Sequence, residues 1–360
     1  MKKIVTILGA RPQFVKAAVL SRVIKKHGEI EEVLVHTGQH YDANMSDVFF
    51  TEMQIPKPVY NLDINGLNHG AMTGQMLEKI EEVLLAEKPN VVVVYGDTNS
   101  TLAGALAAKK LHIKVVHIEA GLRSFNMQMP EEINRILTDR ISDFLCCPTE
   151  SAIQNLKKEG FSNFSNKIEK NGDIMKDAVE FYSKKSSEKS FIINDLDLLK
   201  NKFVLATIHR QENTDDETKL RNIFTALEEI HKEKEVVLPL HPRTKKKLKD
   251  FGIKTSINLI DPVGYFDMLE LLKNCALVIT DSGGLQKEAF FNKKHCIIAR
   301  EETEWVELVE NGFAKIVGCN PRKMIESFIE FDKSTISFEK DLYGNNVGES
   351  IYKSIKNLIS

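Results

Sequence analysis

Cysteine is scarce in this chain, 5 in 360 residues, and no two of them form a Cys-x-x-Cys pair. That excludes a disulfide scaffold and leaves zinc without its usual ligand spacing. Cys146, Cys147, Cys275, Cys296 and Cys319 read instead as reduced core thiols of a cytoplasmic protein. Long apolar runs are missing as well: none approaches the roughly 18 residues that a membrane span needs. The start, Lys2-Lys3 followed by Ile4–Ala10, is barely long enough for a secretion signal and runs into Arg11-Pro12. A first buried strand explains it better. Neither sign of charge is in excess, with 49 basic and 51 acidic residues and a net charge of −2. Nucleic acid and anionic membranes call for a basic surplus, so neither is an expected partner. A Gly-x-Gly-x-x-Gly fingerprint is also absent, so no nicotinamide cofactor is indicated.

What is present is an ordinary globular composition, 42% hydrophobic and 28% charged. At roughly 150 residues per domain, the length suggests two domains. Short Val- and Ile-rich runs alternate with longer amphipathic stretches. In the first half the runs are Lys3–Leu8, Glu32–His36, Asn90–Tyr95, Lys114–Ile118 and Asp143–Cys147. Helical stretches such as His69–Lys88, Thr98–Leu111 and Pro130–Ser142 lie between them. The second half repeats the scheme with Phe203–Ile208, Glu235–Leu240, Asn258–Ile260, Ala276–Thr280, His295–Ala299 and Lys315–Val317. Such alternation predicts an α/β fold of doubly wound parallel sheets. The seam is expected near Ile168–Asp195, where the polar run Ser183–Ser190 is either a linker or a solvated loop. A final amphipathic helix is expected at Val347–Ile359.

Ligands of open parallel sheets sit off the carboxyl ends of the strands. Two such domains facing each other would hold a ligand in the cleft between them. The residues after each run are therefore the ones to read. After the first comes Gly9-Ala10-Arg11-Pro12-Gln13, then Lys16, a plain turn or an anion site at a helix start. After the second comes Thr37-Gly38-Gln39-His40. After the third comes Gly96-Asp97-Thr98, where Asp97 is either a helix cap or a working acid. Glu119 ends the next run, where a carboxylate is costly without a partner or a task. Glu131 and Glu132 open a helix and suit its dipole, and Glu131 could pair with Arg135 one turn on. Asp97, Glu119 and Glu131 would converge on one sheet edge with Arg11 and Lys16, which suggests acid/base work on an anionic substrate. In the second half, His209-Arg210 and His241-Pro242-Arg243 end strands. Ser282-Gly283-Gly284 opens a helix and can offer free N–H groups to a diphosphate, with Glu288 one turn in.

In order along the chain, these segments resemble a family. They are Gly9-Ala10-Arg11-Pro12, Gly96-Asp97-Thr98, His117-Ile118-Glu119-Ala120-Gly121-Leu122-Arg123, Pro130-Glu131-Glu132-Ile133-Asn134-Arg135, His209-Arg210-Gln211-Glu212-Asn213 and Asp281-Ser282-Gly283-Gly284. The set is similar to the non-hydrolysing UDP-N-acetylglucosamine 2-epimerases and covers nearly the whole chain. The resemblance implies a GT-B fold of two Rossmann-like domains with an inter-domain cleft. Residues 1–170, joined by the helix 346–360, would carry the sugar chemistry, and residues 171–345 would bind UDP. It implies no metal and no cofactor, and a homodimer. Asp97, Glu119, Glu131 and His209 would be catalytic. Arg11, Lys16, Gln39, His40, Arg135, Arg210, His241, Ser282, Gly283, Gly284 and Glu288 would bind the UDP-sugar.

The chemistry implied is elimination of UDP by removal of the C2 proton, then re-addition with protonation from the opposite face. A GT-B glycosyltransferase and a hydrolysing epimerase are the alternatives. The chain departs from the commonest family pattern at Ala10-Arg11-Pro12-Gln13, usually Thr-Arg-Pro-Glu, and at Thr303-Glu304-Trp305-Val306-Glu307, usually Thr-Glu-Arg-Pro-Glu. The loop Asn65–Gly70 lacks the Gln and Arg with which bacterial members bind a second, activating UDP-GlcNAc. These variants look like the branch acting on UDP-2,3-diacetamido-2,3-dideoxy-glucuronate, which serves bacterial surface polysaccharide. Arg300, or a residue near Trp305, is a candidate contact for the added carboxylate or 3-acetamido group.

Overall fold

The computed structural model describes residues 1–39, 50 and 53–360. The chain forms two compact units, Met1–Ala178 with Asp341–Ser360, and Val179–Lys340. Each is built on one parallel sheet covered by helices.

The first unit carries a seven-stranded sheet in the order β3-β2-β1-β4-β5-β6-β7. The strands are β1 (Lys2–Leu8), β2 (Ile30–His36), β3 (Tyr60–Asn61), β4 (Val91–Tyr95), β5 (Lys114–Ile118), β6 (Phe144–Cys147) and β7 (Lys167–Lys170). The centre is apolar throughout because both faces are covered: all five residues of β4 are fully buried. The second unit carries six strands in the order β10-β9-β8-β11-β12-β13. These are β8 (Phe203–Thr207), β9 (Glu235–Pro239), β10 (Asn258–Ile260), β11 (Val278–Thr280), β12 (Cys296–Ile298) and β13 (Ala314–Ile316). Both sheets are therefore doubly wound α/β sheets, as the alternation of runs predicts. Helix Val347–Ile359 returns to the first unit, where Gly348 N donates to Asp177 at 2.9 Å.

In each sheet the winding reverses once, between β1 and β4 and between β8 and β11. That reversal opens a crevice at the carboxyl ends of the two strands. In the first unit Gly9 and Asp97 follow the reversing strands. In the second unit His209 and Asp281 do.

Three features differ from expectation. The polar run Ser183–Ser190 is neither linker nor loop: helix Ile174–Lys189 runs through it. It contains no Gly or Pro to stop a helix, and Ser186 is buried with its hydroxyl on Glu270 at 2.6 Å. The strands β3 and β7 escape notice because they are polar edge strands, two and four residues long, without an apolar run.

Candidate active site

In the first unit the loop after β1 is built around Gly9. A Cβ there would lie 1.9 Å from Ser100 Oγ and 2.5 Å from Thr37 Oγ1, so only glycine fits. Thr37 and Ser100 are joined at 2.8 Å, and Gln39 Oε1 accepts from Ser100 N at 3.0 Å and Ser100 Oγ at 2.7 Å. Gln39 is thus placed at this edge by hydrogen bonds that Gly9 leaves room for. Gly9→Ala is expected to cost about 1–3 kcal/mol of stability through overpacking, read as a lower denaturant midpoint at unchanged m-value. His40 lies outside the described residues.

Gln13 locks the same loop to β4. Its Oε1 accepts from Gly9 N at 2.7 Å and Ala10 N at 3.0 Å, and its Nε2 donates to the Tyr95 carbonyl at 2.7 Å. A carboxylate here could not donate to that carbonyl, which gives Gln in place of the usual Glu a physical reason. Arg11, the first residue of helix Arg11–His27, is half-buried.

Two carboxylates stand at adjacent strand ends. Asp97 follows β4 and pairs through Oδ2 with Arg135 Nη2. It is not the helix cap: Thr98 caps helix Asn99–Lys110 by accepting from Thr101 N, and Asp97 is left for other work. Glu119 follows β5 and pairs with Lys16, both side chains being nearly buried. Its backbone is left-handed, with φ 73°. For a residue other than glycine, such a conformation costs on the order of 1–3 kcal/mol and persists only where its surroundings enforce it.

Glu131 lies apart from these pairs. It is exposed on the first turn of helix Pro130–Ile141, and it has no hydrogen-bond or ion-pair partner among the described residues. The one-turn pairing with Arg135 does not form. Arg135 instead takes Glu132 at 2.8 Å, and the buried Glu132 also accepts from Ser124 N at 3.0 Å and Phe125 N at 2.9 Å.

Behind the carboxylates lies a buried polar group that includes Asp139 and Arg123. Burial opposes ionisation of Asp139, but the hydrogen bonds and charges of His117 and Arg123 outweigh it and hold its carboxyl below the usual range.

In the second unit Asp281 is the organising residue. It is fully buried and its carboxylate accepts from His209 N at 3.1 Å, Arg210 N at 3.0 Å and Asn213 Nδ2 at 3.1 Å. The His209 side chain, 3.4 Å from Asp281 through Nδ1, is exposed. Arg210 places its guanidinium near Glu212. His241 lies beside His209, ring centres 6.3 Å apart. It also caps helix Pro242–Asp250, accepting from Arg243 N at 3.2 Å. Burial first, then the charges of His209 and Arg243, push its pKa below the ordinary histidine value.

Helix Gly283–Phe291 begins at the strand end with no side-chain cap on its first turn, and no acidic residue there. A Cβ on Gly284 would meet nothing within 4 Å. Glu288 is buried one turn further in. Arg300 is buried, and its two terminal nitrogens donate to Glu304 at 3.0 and 3.1 Å. Trp305 is buried beneath Lys287, whose ammonium lies 3.9 Å from the ring centre. Among the described residues, no group of three or more His, Cys, Asp or Glu could hold a metal ion. No helix among them is long and apolar enough to cross a membrane.

The family model for UDP-N-acetylglucosamine 2-epimerase matches residues 22–356. The chain belongs to the UDP-N-acetylglucosamine 2-epimerase family. It is thus an isomerase of the non-hydrolysing UDP-sugar 2-epimerase class, with the paired Rossmann-like domains of the GT-B fold. It is 53% identical over 349 residues to a UDP-2,3-diacetamido-2,3-dideoxy-D-glucuronate 2-epimerase of Pseudomonas aeruginosa, covering 97% of each chain. The Methanocaldococcus jannaschii UDP-GlcNAc 2-epimerase, solved with UDP-GlcNAc and UDP, superposes with a TM-score of 0.88 at 43% identity over 99% of both chains. The Neisseria meningitidis UDP-GlcNAc 2-epimerase bound to UDP-GlcNAc gives 0.89 at 31% identity, over 99% of this chain and 100% of that one.

Sequence reasoning on this epimerase missed the supporting residues Gln13, Glu132 and Asp139 as parts of the site. Glu132 carried one usable signal, its place beside Glu131 on an amphipathic helix, whose inner face takes only one of the pair. Asp281 stands within the quoted motifs, but its clamp on the next strand end is invisible in a linear reading.

Proposed function

We propose that the protein inverts C2 of a UDP-2-acetamido sugar, with UDP-2,3-diacetamido-2,3-dideoxy-glucuronate as substrate. The observation that carries this reading is the pair of carboxylates at neighbouring strand ends of one sheet, Asp97 with Arg135 and Glu119 with Lys16. The C2 proton is not acidic, because no carbonyl adjoins it. Removing it requires the C1–O bond to break in the same event, so that UDP leaves. Protonation of the resulting 2-acetamidoglucal from the other face then inverts C2 as UDP adds back. Such chemistry needs a base and an acid on opposite faces of the ring, the roles proposed for Asp97, Glu119 and Glu131. It also needs the departing diphosphate to be held. Arg11, His209, Arg210 and the first turn of helix Gly283–Phe291 are proposed for that, with Glu288 on the ribose and Gln39, His40 and His241 as further contacts. Similarity to the Pseudomonas enzyme supports the choice of sugar. A cytoplasmic homodimer that supplies a bacterial surface polysaccharide precursor completes the reading.

Incubation with UDP-GlcNAc and with the diacetamido-glucuronate in D2O, side by side and without any acceptor, is the test. Deuterium at C2 of the recovered UDP-sugar is expected, faster with the latter. No label with either would defeat the reading, and free sugar would indicate hydrolysis instead.

The role of the glycine turn is separable from its fold. Gly284 has open space where a side chain would go and no left-handed backbone. Gly284→Ala is therefore expected to leave stability unchanged or raise it by about 0.4–1 kcal/mol. If the turn holds a diphosphate, UDP affinity falls about tenfold or more in isothermal titration, at a cost of roughly 1.4 kcal/mol. Unchanged affinity would return the turn to a structural role.

A further inference from the structure

His117 stands in the segment that ends in Glu119, is fully buried, and has no part in the proposed reaction. Both of its ring nitrogens are engaged. Nε2 lies 2.7 Å from the Gly96 carbonyl, which can only accept, so this nitrogen donates. Nδ1 lies 2.7 Å from Asp139 Oδ1. The other oxygen of Asp139 accepts from Gly121 N at 3.1 Å and Arg123 Nη1 at 2.7 Å. Arg123 in turn lays its fork on Glu159, with both contacts at 2.7 Å.

One imidazole therefore ties the turn after β4 to the turn after β5. Those two turns are the backbones of the two carboxylates. Gly96 immediately precedes Asp97, and Gly121 closes the turn that Glu119 opens. All three of Gly96, Glu119 and Gly121 are left-handed, with φ of 61°, 73° and 79°. Backbone of this kind needs its surroundings to hold it. A buried imidazole–carboxylate pair is a costly way to join two loops where apolar packing would serve. What it supplies beyond apolar packing is direction: two hydrogen bonds at opposite ends of a rigid ring fix a distance.

We infer that His117 and Asp139 are positioning residues that set the separation of Asp97 and Glu119 for epimerisation. This rests on the epimerase reading above.

Two substitutions divide the ring's contacts. His117→Gln keeps an N–H at the reach of Nε2 and loses the partner of Asp139. His117→Asn keeps a donor at the Nδ1 position and loses the Gly96 carbonyl. Both are expected to lower kcat for C2 deuterium exchange, per folded molecule, by on the order of 10²-fold, the usual consequence of misplacing a reacting group by an ångström. KM and the Kd for UDP alone should stay within about twofold of wild type, because the groups that grip UDP keep their supports. A purely structural role would lower the folded fraction and leave kcat per folded molecule intact. Values of kcat near wild type in both folded variants would overturn the inference. Should both fail to fold, Glu159→Gln, at the partly exposed end of the same chain of contacts, is read instead. A kcat loss of about threefold or more is then expected, and no loss overturns the inference. Wild-type exchange is measured first. Its absence with both sugars would remove the epimerase reading and the inference with it. Exchange that persists in the folded variants at a kcat near wild type overturns the inference alone.

Discussion

Asp97→Asn and Glu119→Gln each lower C2 deuterium exchange by about 10²- to 10⁴-fold, the range expected when a general acid or base is removed. UDP affinity, measured by titration without a sugar, is expected to change little. The reason lies in what each carboxylate is attached to. Asp97 and Glu119 stand on the first unit, whereas all the groups proposed to take the diphosphate except Arg11, namely His209, Arg210 and the helix start, belong to the second. The amides are nearly the same size as the acids, so packing is preserved and the charge is lost. Glu119→Gln carries one extra effect, because the nearly buried Lys16 would lose its counter-charge. Its thermal midpoint is expected to drop more than that of Asp97→Asn, whose side chain is about a third exposed. Glu131→Gln is expected to lose exchange as well, and there the result is clean. Glu131 has no partner among the described residues, so no structural contact is removed. Full activity in all three variants would show that the acid/base groups lie elsewhere.

Asp281→Ala is expected to give the opposite profile, a loss of stability together with a loss of UDP affinity. Three donors, His209 N, Arg210 N and Asn213 Nδ2, would be left facing a methyl group. An unsatisfied buried donor costs about 1–3 kcal/mol, and of the three only Asn213 Nδ2 is buried while the two backbone N–H groups are partly open to water, so a loss of about 1–3 kcal/mol is expected in denaturant unfolding. UDP affinity should fall because His209 and Arg210 take their backbone position from this carboxylate. Asp281→Asn retains one acceptor oxygen but turns an NH2 toward the same donors, and should fall between alanine and wild type. A stability loss below about 1 kcal/mol for the alanine variant would mean that the strand-end turn holds itself without Asp281.

Much of the fold was legible in the order of apolar runs. Four valines and a tyrosine in β4 can only be a strand buried on both faces, and such strands require helices between them. The ordered segments, most of them at strand ends, were enough to point to the family. Helix Val347–Ile359 was readable to its bounds from its apolar stripe. The edge strands β3 and β7 were not legible, since their short polar stretches carry no continuous apolar run. The helix through Ser183–Ser190 was missed for a related reason: its polar surface looks like a linker until Glu270 arrives to bond Ser186.

The sequence by itself determined which chemical groups stand at the strand ends. That information is local: a strand ends where its apolar run ends, and the next few residues are those placed to meet a ligand. Only the tertiary structure decided how those groups are paired. Arg135 reaches Asp97 across 38 positions, Lys16 reaches Glu119 across 103, and Asp281 holds His209 across 72. It also separated Glu131 from Glu132. One step along a helix turns a side chain through about 100°, which buries one carboxylate against Arg135 and leaves its neighbour in solvent. Local periodicity can place two acids on a helix. Which of them is bonded depends on what the rest of the chain brings against that face.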